Sequence, residues 1–174
     1  AFMAIQQLVN EGLVLAGHDI SAGGIITTLL EMCFANTKGG LDLCFDKIQE
    51  ADIVKILFAE NPGVVIQVSD ANAPRAKKIL EDAGVAYAKI GKPAEGREIT
   101  IHKNISNAQV PNAKIADRDM VFTFDIDALR DVWYSTSYLL DRRQSFNGKA
   151  DERYANYKNI PVEWTVSGEP LTKT

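Results

Sequence analysis

The sequence predicts an α+β fold, in which a mixed β-sheet has helices packed on it. Over the first half of the chain, segments with helical periodicity alternate with short apolar runs that are typical of strands. Three strand candidates then follow one another between residues 85 and 124 without a helix between them. Hydrophobic residues make up 46% of the 174 residues, which suffices for the core of about one domain.

The order of the elements follows from this periodicity. Apolar residues at i, i+3 and i+4 mark helices, and alternating or continuous apolar runs of four to six residues mark strands. Gly12 and Gly84 are natural helix ends. The predicted helices cover residues 2–12, 25–33, 51–59, 76–83 and 125–143, and the predicted strands cover 13–16, 41–45, 64–68, 85–90, 98–102 and 120–124. Turns are predicted over residues 18–24 and 91–96, and an irregular segment over 103–119.

The composition predicts one domain over residues 1–144 and an extended tail or linker over residues 145–174. The tail is polar, with scattered aromatic residues. The chain begins Ala1-Phe2-Met3 and leads directly into a helical pattern, so we expect a segment of a longer polypeptide.

Charge and hydropathy argue against several classes of protein. The net charge of −4 argues against a nucleic-acid binder, because such proteins present a basic surface. The sequence has no run of about 20 apolar residues that would cross a membrane, and its start does not resemble a signal peptide. These features predict a cytoplasmic protein that binds neither nucleic acid nor membrane.

The cysteines and histidines do not form a zinc pattern. Cys33 and Cys44 are not in a Cys-x-x-Cys arrangement, and His18 and His102 are far apart. Two cysteines fit a reducing compartment better than a disulfide scaffold, although a Cys33–Cys44 disulfide remains an alternative. Because Cys33 lies on an apolar helix face, we interpret it as a core residue.

The stretch Gly17-His18-Asp19-Ile20-Ser21-Ala22-Gly23-Gly24 carries the chemistry. It lies between a predicted strand and a predicted helix, where backbone N–H groups can bind phosphate. Gly23 and Gly24 would let the phosphate approach, and Ser21 would donate a hydroxyl hydrogen bond. Asp19 could hold Mg²⁺, and in an extended segment Asp19 and Ser21 project to the same side.

A purely structural interpretation of these residues competes with this one. Asp or Ser before a helix is usually an N-cap, and Gly-Gly is usually a turn. The stretch is neither a Walker A loop nor a G-x-G-x-x-G fingerprint. Spacing alone therefore favours the structural interpretation over a phosphate site.

The motif His18-Asp19-x-Ser21-x-Gly23-Gly24, followed by Glu31-Met32 on an apolar helix, resembles the C-terminal-type domain of the AIR synthetase-related superfamily. Two further segments narrow the resemblance to the large, single-chain phosphoribosylformylglycinamidine synthases. They are residues 57–68, which read LFAENPGVVIQV, and residues 133–138, which read WYSTSY and are followed by Arg142-Arg143. Together these segments resemble the second C-type domain of such an enzyme, and the resemblance covers about residues 2–160.

The resemblance implies an ATP-dependent ligase of purine biosynthesis, a glutamine amidotransferase that converts formylglycinamide ribonucleotide to formylglycinamidine ribonucleotide. It implies that Asp19 is a magnesium ligand and that Ser21, with Gly23 and Gly24, contacts an auxiliary ATP or ADP. It implies no catalytic residue in this chain, which would be inactive alone. The implied partners are an N-type synthetase domain and a following glutaminase domain of the same polypeptide.

One residue departs from the family pattern. The family loop usually reads Ser-Asp-Gly-Gly, whereas Ala22 replaces the aspartate here. Two other functions stay open: another enzyme of the superfamily, such as a selenophosphate synthetase or a kinase, and a non-catalytic nucleotide-binding or interaction module. Trp133 is interpreted as a core or interdomain anchor, and His18 as a structural residue of the loop.

Overall fold

The computed structural model describes residues 1–105, 118–156 and 159. The chain divides into two compact units, Ala1–Trp133 and Tyr134–Thr174. Most of the predicted irregular segment 103–119 and the end of the predicted tail lie outside the described residues. The predicted division after residue 144 stays a prediction.

Six helices and six strands are formed by the described residues. In chain order they are α1 (Phe2–Asn10), β1 (Val14–Ile20), α2 (Gly24–Phe34), β2 (Gly39–Cys44), α3 (Ile53–Phe58), β3 (Gly63–Val68), α4 (Ala73–Asp82), β4 (Gly91–Glu95), β5 (Glu98–Ile105), β6 (Arg118–Asp125), α5 (Ile126–Gln144) and α6 (Lys149–Asn156).

The strands form two sheets in the first unit. A four-stranded sheet has the order β4-β2-β5-β6, in which β2 and β5 are parallel and the other neighbours are antiparallel. Strands β1 and β3 form a separate antiparallel pair, with Asp19 opposite Val64. The predicted α+β class, with a mixed sheet and packed helices, is confirmed.

Two clusters of buried apolar side chains hold the first unit together. The larger cluster joins α2 and α3 to the four-stranded sheet and the start of α5, and the smaller one joins α1 to α4. Strand β3 packs against both, since Val65 contacts the larger cluster while Ile66 and Val68 contact the smaller. The β1–β3 pair therefore lies between the two cores.

Strand β5 shows the burial alternation expected for a strand, with one polar exception. Ile99 and Ile101 are fully buried, and Lys103 continues the same face with 1% of its surface exposed. The Lys103 Nζ donates hydrogen bonds to the carbonyl oxygens of Phe45 at 3.1 Å and Ile48 at 2.7 Å. These bonds offset the cost of burying the ammonium and fix the turn that follows β2.

Arg97 joins the end of α2 to the start of α5. Its guanidinium donates to the carbonyl oxygens of Cys33 at 3.2 Å and Gly39 at 3.0 Å, and also to that of Asn36. It forms an ion pair with Asp127 at 2.8 Å. One side chain thus bonds a carbonyl in the last turn of α2 and two carbonyls of the segment that leads from α2 into β2.

Several predicted elements differ from the structure. Strand β1 continues through Ile20, so His18 and Asp19 lie in a strand and not in a turn, because β3 supplies the pairing partner. The predicted strand over residues 85–90 is absent from the described structure, and β4 forms instead over the predicted turn at 91–96. Pro93 is tolerated there because β4 is an edge strand.

The second unit contains a helix where an extended tail was predicted. Helix α6 is fastened to the end of α5 by Arg153, which binds Asp141 through two nitrogens at 2.8 and 2.6 Å. The Tyr154 ring stacks on Tyr138 with ring centres 4.3 Å apart. These contacts depend on residues 12–16 positions apart, which local polarity does not indicate.

Candidate functional site

The candidate site is the short connection between β1 and α2. Asp19 lies near the end of β1, and its side chain is 72% exposed. Ser21 follows the strand and is also exposed. Both side chains that the sequence predicted to bind magnesium and phosphate are therefore accessible from solvent.

Gly23 is the N-cap residue of α2, which has no side-chain cap. The interpretation of Asp19 or Ser21 as a conventional N-cap is therefore wrong. The φ angle of Gly23 is +85°, in the left-handed region that favours glycine. Its N–H donates a 2.8 Å hydrogen bond to Oε1 of Glu60, which lies just before β3.

Gly24 is required by packing. A Cβ at this position would lie 2.6 Å from the carbonyl oxygen of Leu57 and 2.8 Å from the backbone of Phe58. Its N–H donates to the Ser21 carbonyl at 3.1 Å, which closes the turn. The N–H groups of Gly23 and Gly24 thus both have partners inside the domain, although the sequence predicted that they face a phosphate.

Helix α2 also fixes the end of β1. Thr28 is buried, with 2% of its surface exposed, and its hydroxyl donates a 3.0 Å hydrogen bond to the Asp19 carbonyl. Because Thr28 lies one turn into α2, this bond ties the strand end to the body of the helix. The backbone of Asp19 is therefore held from α2 as well as from β3.

His18 connects Asp19 to α2. Its Nδ1 lies 2.8 Å from the Asp19 carbonyl oxygen and 3.3 Å from the Asp19 carboxylate. Its Nε2 lies 3.1 Å from Oε2 of Glu31. The His and the Glu of the sequence motif, 13 positions apart, are therefore in direct contact.

Glu31 has a second partner on α5. Its Oε1 accepts a 2.9 Å hydrogen bond from Nε1 of Trp133. The Trp133 ring lies 5.2 Å from that of Phe34, at a tilt of 56°. Trp133 is 51% exposed, so the expectation of a core residue is wrong, while its contacts anchor the start of α5 to α2.

A magnesium site at this loop would use few protein ligands. No group of three or more His, Cys, Asp or Glu side chains suited to a metal occurs among the residues that the structure describes. Mg²⁺ commonly keeps several waters and binds through one or two carboxylates plus substrate phosphates. The exposed carboxylate of Asp19 fits that pattern and does not fit an all-protein cage.

Cys33 is a core residue, as predicted. It is buried in the larger cluster, and burial raises the pKa of its thiol, which disfavours the reactive thiolate. Both cysteines are free, so the alternative of a Cys33–Cys44 disulfide is wrong.

Sequence reasoning missed the contacts of Glu60, Glu31 and Trp133. Glu31 was part of the recognised motif, and Trp133 opened the third recognised segment, so both stood in informative positions. The contact of Glu60 with Gly23 joins residues 37 positions apart. Pairing over such distances depends on the fold and leaves no local pattern.

A family model described as "AIR synthase related protein, C-terminal domain" matches residues 2–104. The phosphoribosylformylglycinamidine synthase of Homo sapiens is 33% identical over 83% of this chain, and that of Saccharomyces cerevisiae is 33% identical over 84%. The chain spans only about a tenth of the length of these relatives, 10% in each case. The major tegument protein of Epstein-Barr virus is 36% identical over 54% of this chain and 7% of its own length.

Solved structures share the fold at lower identity. Thermotoga maritima PurL complexed with ATP superposes with a TM-score of 0.55 and 17% identity, over 99% of this chain and 24% of that one. The complex of the same protein with ADP gives a TM-score of 0.55 and 16% identity, over 99% of this chain and 23% of that one.

None of the described helices is long and apolar enough to span a membrane.

Proposed function

Since this chain belongs to the family of AIR synthase related proteins, as a C-terminal-type domain, we propose that it is a domain of a phosphoribosylformylglycinamidine synthase. Such an enzyme is an ATP-dependent ligase of purine biosynthesis, which transfers the amide nitrogen of glutamine to formylglycinamide ribonucleotide. The observation that carries the proposal is the identity of about a third with synthases over more than four fifths of this chain.

We propose that the domain works only within a longer polypeptide. The relatives are about ten times as long, which leaves room for an N-type synthetase domain and a glutaminase domain. These domains are the partners that we propose, in the cytoplasm and without nucleic acid or membrane. The 174-residue chain alone would show neither synthase nor glutaminase activity.

The β1–α2 connection is the proposed contribution to an auxiliary magnesium–nucleotide site. Asp19 would hold Mg²⁺, which when bound neutralises phosphate charge. Ser21 would donate its hydroxyl to a phosphate oxygen, and both side chains are exposed for this purpose. Gly23 and Gly24 would bring the backbone close to the phosphate, although their N–H groups would have to exchange present partners to donate to it.

The test compares Asp19→Asn and Ser21→Ala with Asp70→Asn in the full-length polypeptide. Asp70 is an aspartate just beyond β3 whose side chain is even more exposed than that of Asp19, and it serves as the control. The readout is ADP retained per chain after gel filtration at stepped MgCl₂ concentrations. We expect Asp19→Asn to need at least about ten times as much Mg²⁺ as the parent to retain the same amount of ADP. Ser21→Ala should raise the Mg²⁺ requirement by a smaller factor, and Asp70→Asn should leave it unchanged.

Unchanged retention in Asp19→Asn would remove Asp19 from the site. A full-length polypeptide without synthase activity that retains Mg–ADP would instead favour a non-catalytic nucleotide-binding module. The similarity to a viral protein named for the tegument, and not for a synthase, is the observation that keeps this second candidate open.

A further inference from the structure

We propose that His18 and Glu31 are positioning residues for the magnesium–nucleotide site, and that Trp133 fixes Glu31 for this task. This inference rests on the proposed function, because it concerns how Asp19 is held. The observation behind it is the unbroken series of contacts from Asp19 through His18 and Glu31 to Trp133.

Asp19 needs such support because its own environment gives little. Its side chain is 72% exposed at the end of a two-stranded sheet. An exposed carboxylate loses rotamer freedom when it binds a metal, and that loss weakens binding. A neighbour that restrains Asp19 reduces the loss: the His18 Nδ1 lies 2.8 Å from the Asp19 carbonyl oxygen and 3.3 Å from Asp19 Oδ1, so the ring limits where the carboxylate can turn.

The ring of His18 is in turn held from its other side. Its Nε2 contacts Oε2 of Glu31, while Oε1 of Glu31 accepts from the indole N–H of Trp133. The indole nitrogen is a donor only, so this bond assigns one carboxylate oxygen to Trp133 and leaves the other for His18. Glu31 is only 25% exposed, which favours a single side-chain orientation.

In this arrangement the proposed metal ligand Asp19 is oriented by His18, and His18 is oriented by the carboxylate of Glu31. Loss of groups that support a metal ligand typically weakens metal affinity about 10–100-fold without removing the site. His18 and Glu31 would therefore set the Mg²⁺ concentration at which nucleotide is retained. Neither residue needs to touch the nucleotide.

The experiment measures the Mg²⁺ concentration for half-maximal ADP retention in the full-length polypeptide with Glu31→Ala, Glu31→Gln and Trp133→Phe. We expect Glu31→Ala to raise it about tenfold. Glu31→Gln keeps an acceptor for Trp133 and a polar group for His18, so most of the affinity should return. Trp133→Phe keeps a ring beside Phe34 but loses the N–H, and we expect an increase smaller than that of Glu31→Ala.

The matched control is Glu11→Ala. Glu11 also uses both carboxylate oxygens, which accept from Gln7 and Arg75, but it caps the end of α1, which packs on the smaller core. Thermal unfolding without nucleotide is recorded for every variant, so that a general loss of stability is recognised. Glu11→Ala should leave the Mg²⁺ requirement unchanged.

The outcomes separate this inference from the proposed function. If Asp19→Asn raises the Mg²⁺ requirement while Glu31→Ala does not change it, the positioning role is wrong and the site stands. If Glu31→Ala and Glu31→Gln weaken retention equally, and only in proportion to their loss of thermal stability, the role of Glu31 is structural. If Asp19→Asn has no effect, Asp19 is not part of the site, and both its proposed role and this inference are wrong.

Discussion

The two sheets of the first unit are held by different forces. The four-stranded sheet contributes buried side chains, including Leu43, Ile99 and Ile101, to the larger core. The β1–β3 pair has no buried residue, and the end of β1 at the candidate site is held by the hydrogen bond that Thr28 donates to the Asp19 carbonyl. In the connection that follows, the Gly23 N–H donates to the Glu60 carboxylate. The comparison indicates that packing sustains the fold, while directed polar contacts set the geometry of the candidate site.

The largest effect should come from the packed sheet. Ile101→Ala removes a fully buried side chain from the larger cluster, and we expect a loss of about 2–5 kcal/mol in the free energy of unfolding. Urea denaturation followed by circular dichroism measures it. Leu15→Ala on β1, where the side chain is 61% exposed, is the control and should cost far less. Equal losses in the two variants would contradict the comparison.

An intermediate effect should come from the start of α2. Gly24→Ala places a Cβ 2.6 Å from the Leu57 carbonyl and forces an L-residue into a φ of +73°. We therefore expect the free energy of unfolding to fall by roughly 1–3 kcal/mol. Gly84→Ala has a similar φ of +61° but nothing within 4 Å of the new Cβ, so it should cost about 1 kcal/mol from the backbone alone. The difference between the two denaturation midpoints isolates the clash. Indistinguishable midpoints would show that α2 and the end of α3 can move apart.

The smallest effect should be on acid stability at the end of β5. The hydrogen bond from the Asn104 N–H lowers the pKa of Asp46 below its ordinary value of 3.8. Asp46 therefore stabilises the fold well above that value, and the contribution is lost as the pH falls through the lowered folded-state pKa. Asp46→Asn cannot titrate, so its stability should decline less steeply with acid than that of the parent. Parallel curves of urea midpoint against pH would contradict this.

Helix positions were predicted more successfully than sheet pairing. The apolar spacing in α2 and α5 is local, and it placed both helices within about two residues of their observed bounds. Strand β4 was missed because Gly91 and Pro93 are typical of turns, and only its edge position beside β2 permits them. The apolar run from Val85 to Ile90 was mistaken for a strand because composition does not reveal whether a partner strand is available.

The stretch from His18 to Gly24 was correctly predicted to join a strand to a helix, but its internal contacts were not predicted. The sequence indicated Asp19 and Ser21 through residue type and spacing, and both are exposed at the connection. The sequence also predicted that Gly23 and Gly24 contact phosphate. In the structure Gly24 packs against Leu57, and the Gly23 N–H donates to Glu60. Local patterns indicate which backbone conformations are possible, and tertiary contacts decide which groups remain available.

Because Lys103 is buried, the chemical reactivity of its side chain reports how often the packed sheet opens. With 1% of its surface exposed, its amine is sealed behind β5 while the turn carbonyls hold it. An acylating reagent can therefore reach Lys103 only during those moments when this part of the sheet opens, whereas surface lysines react at once. The rate at which that single amine becomes labelled is a clock for transient opening, read by mass spectrometry without any ligand or assay of activity.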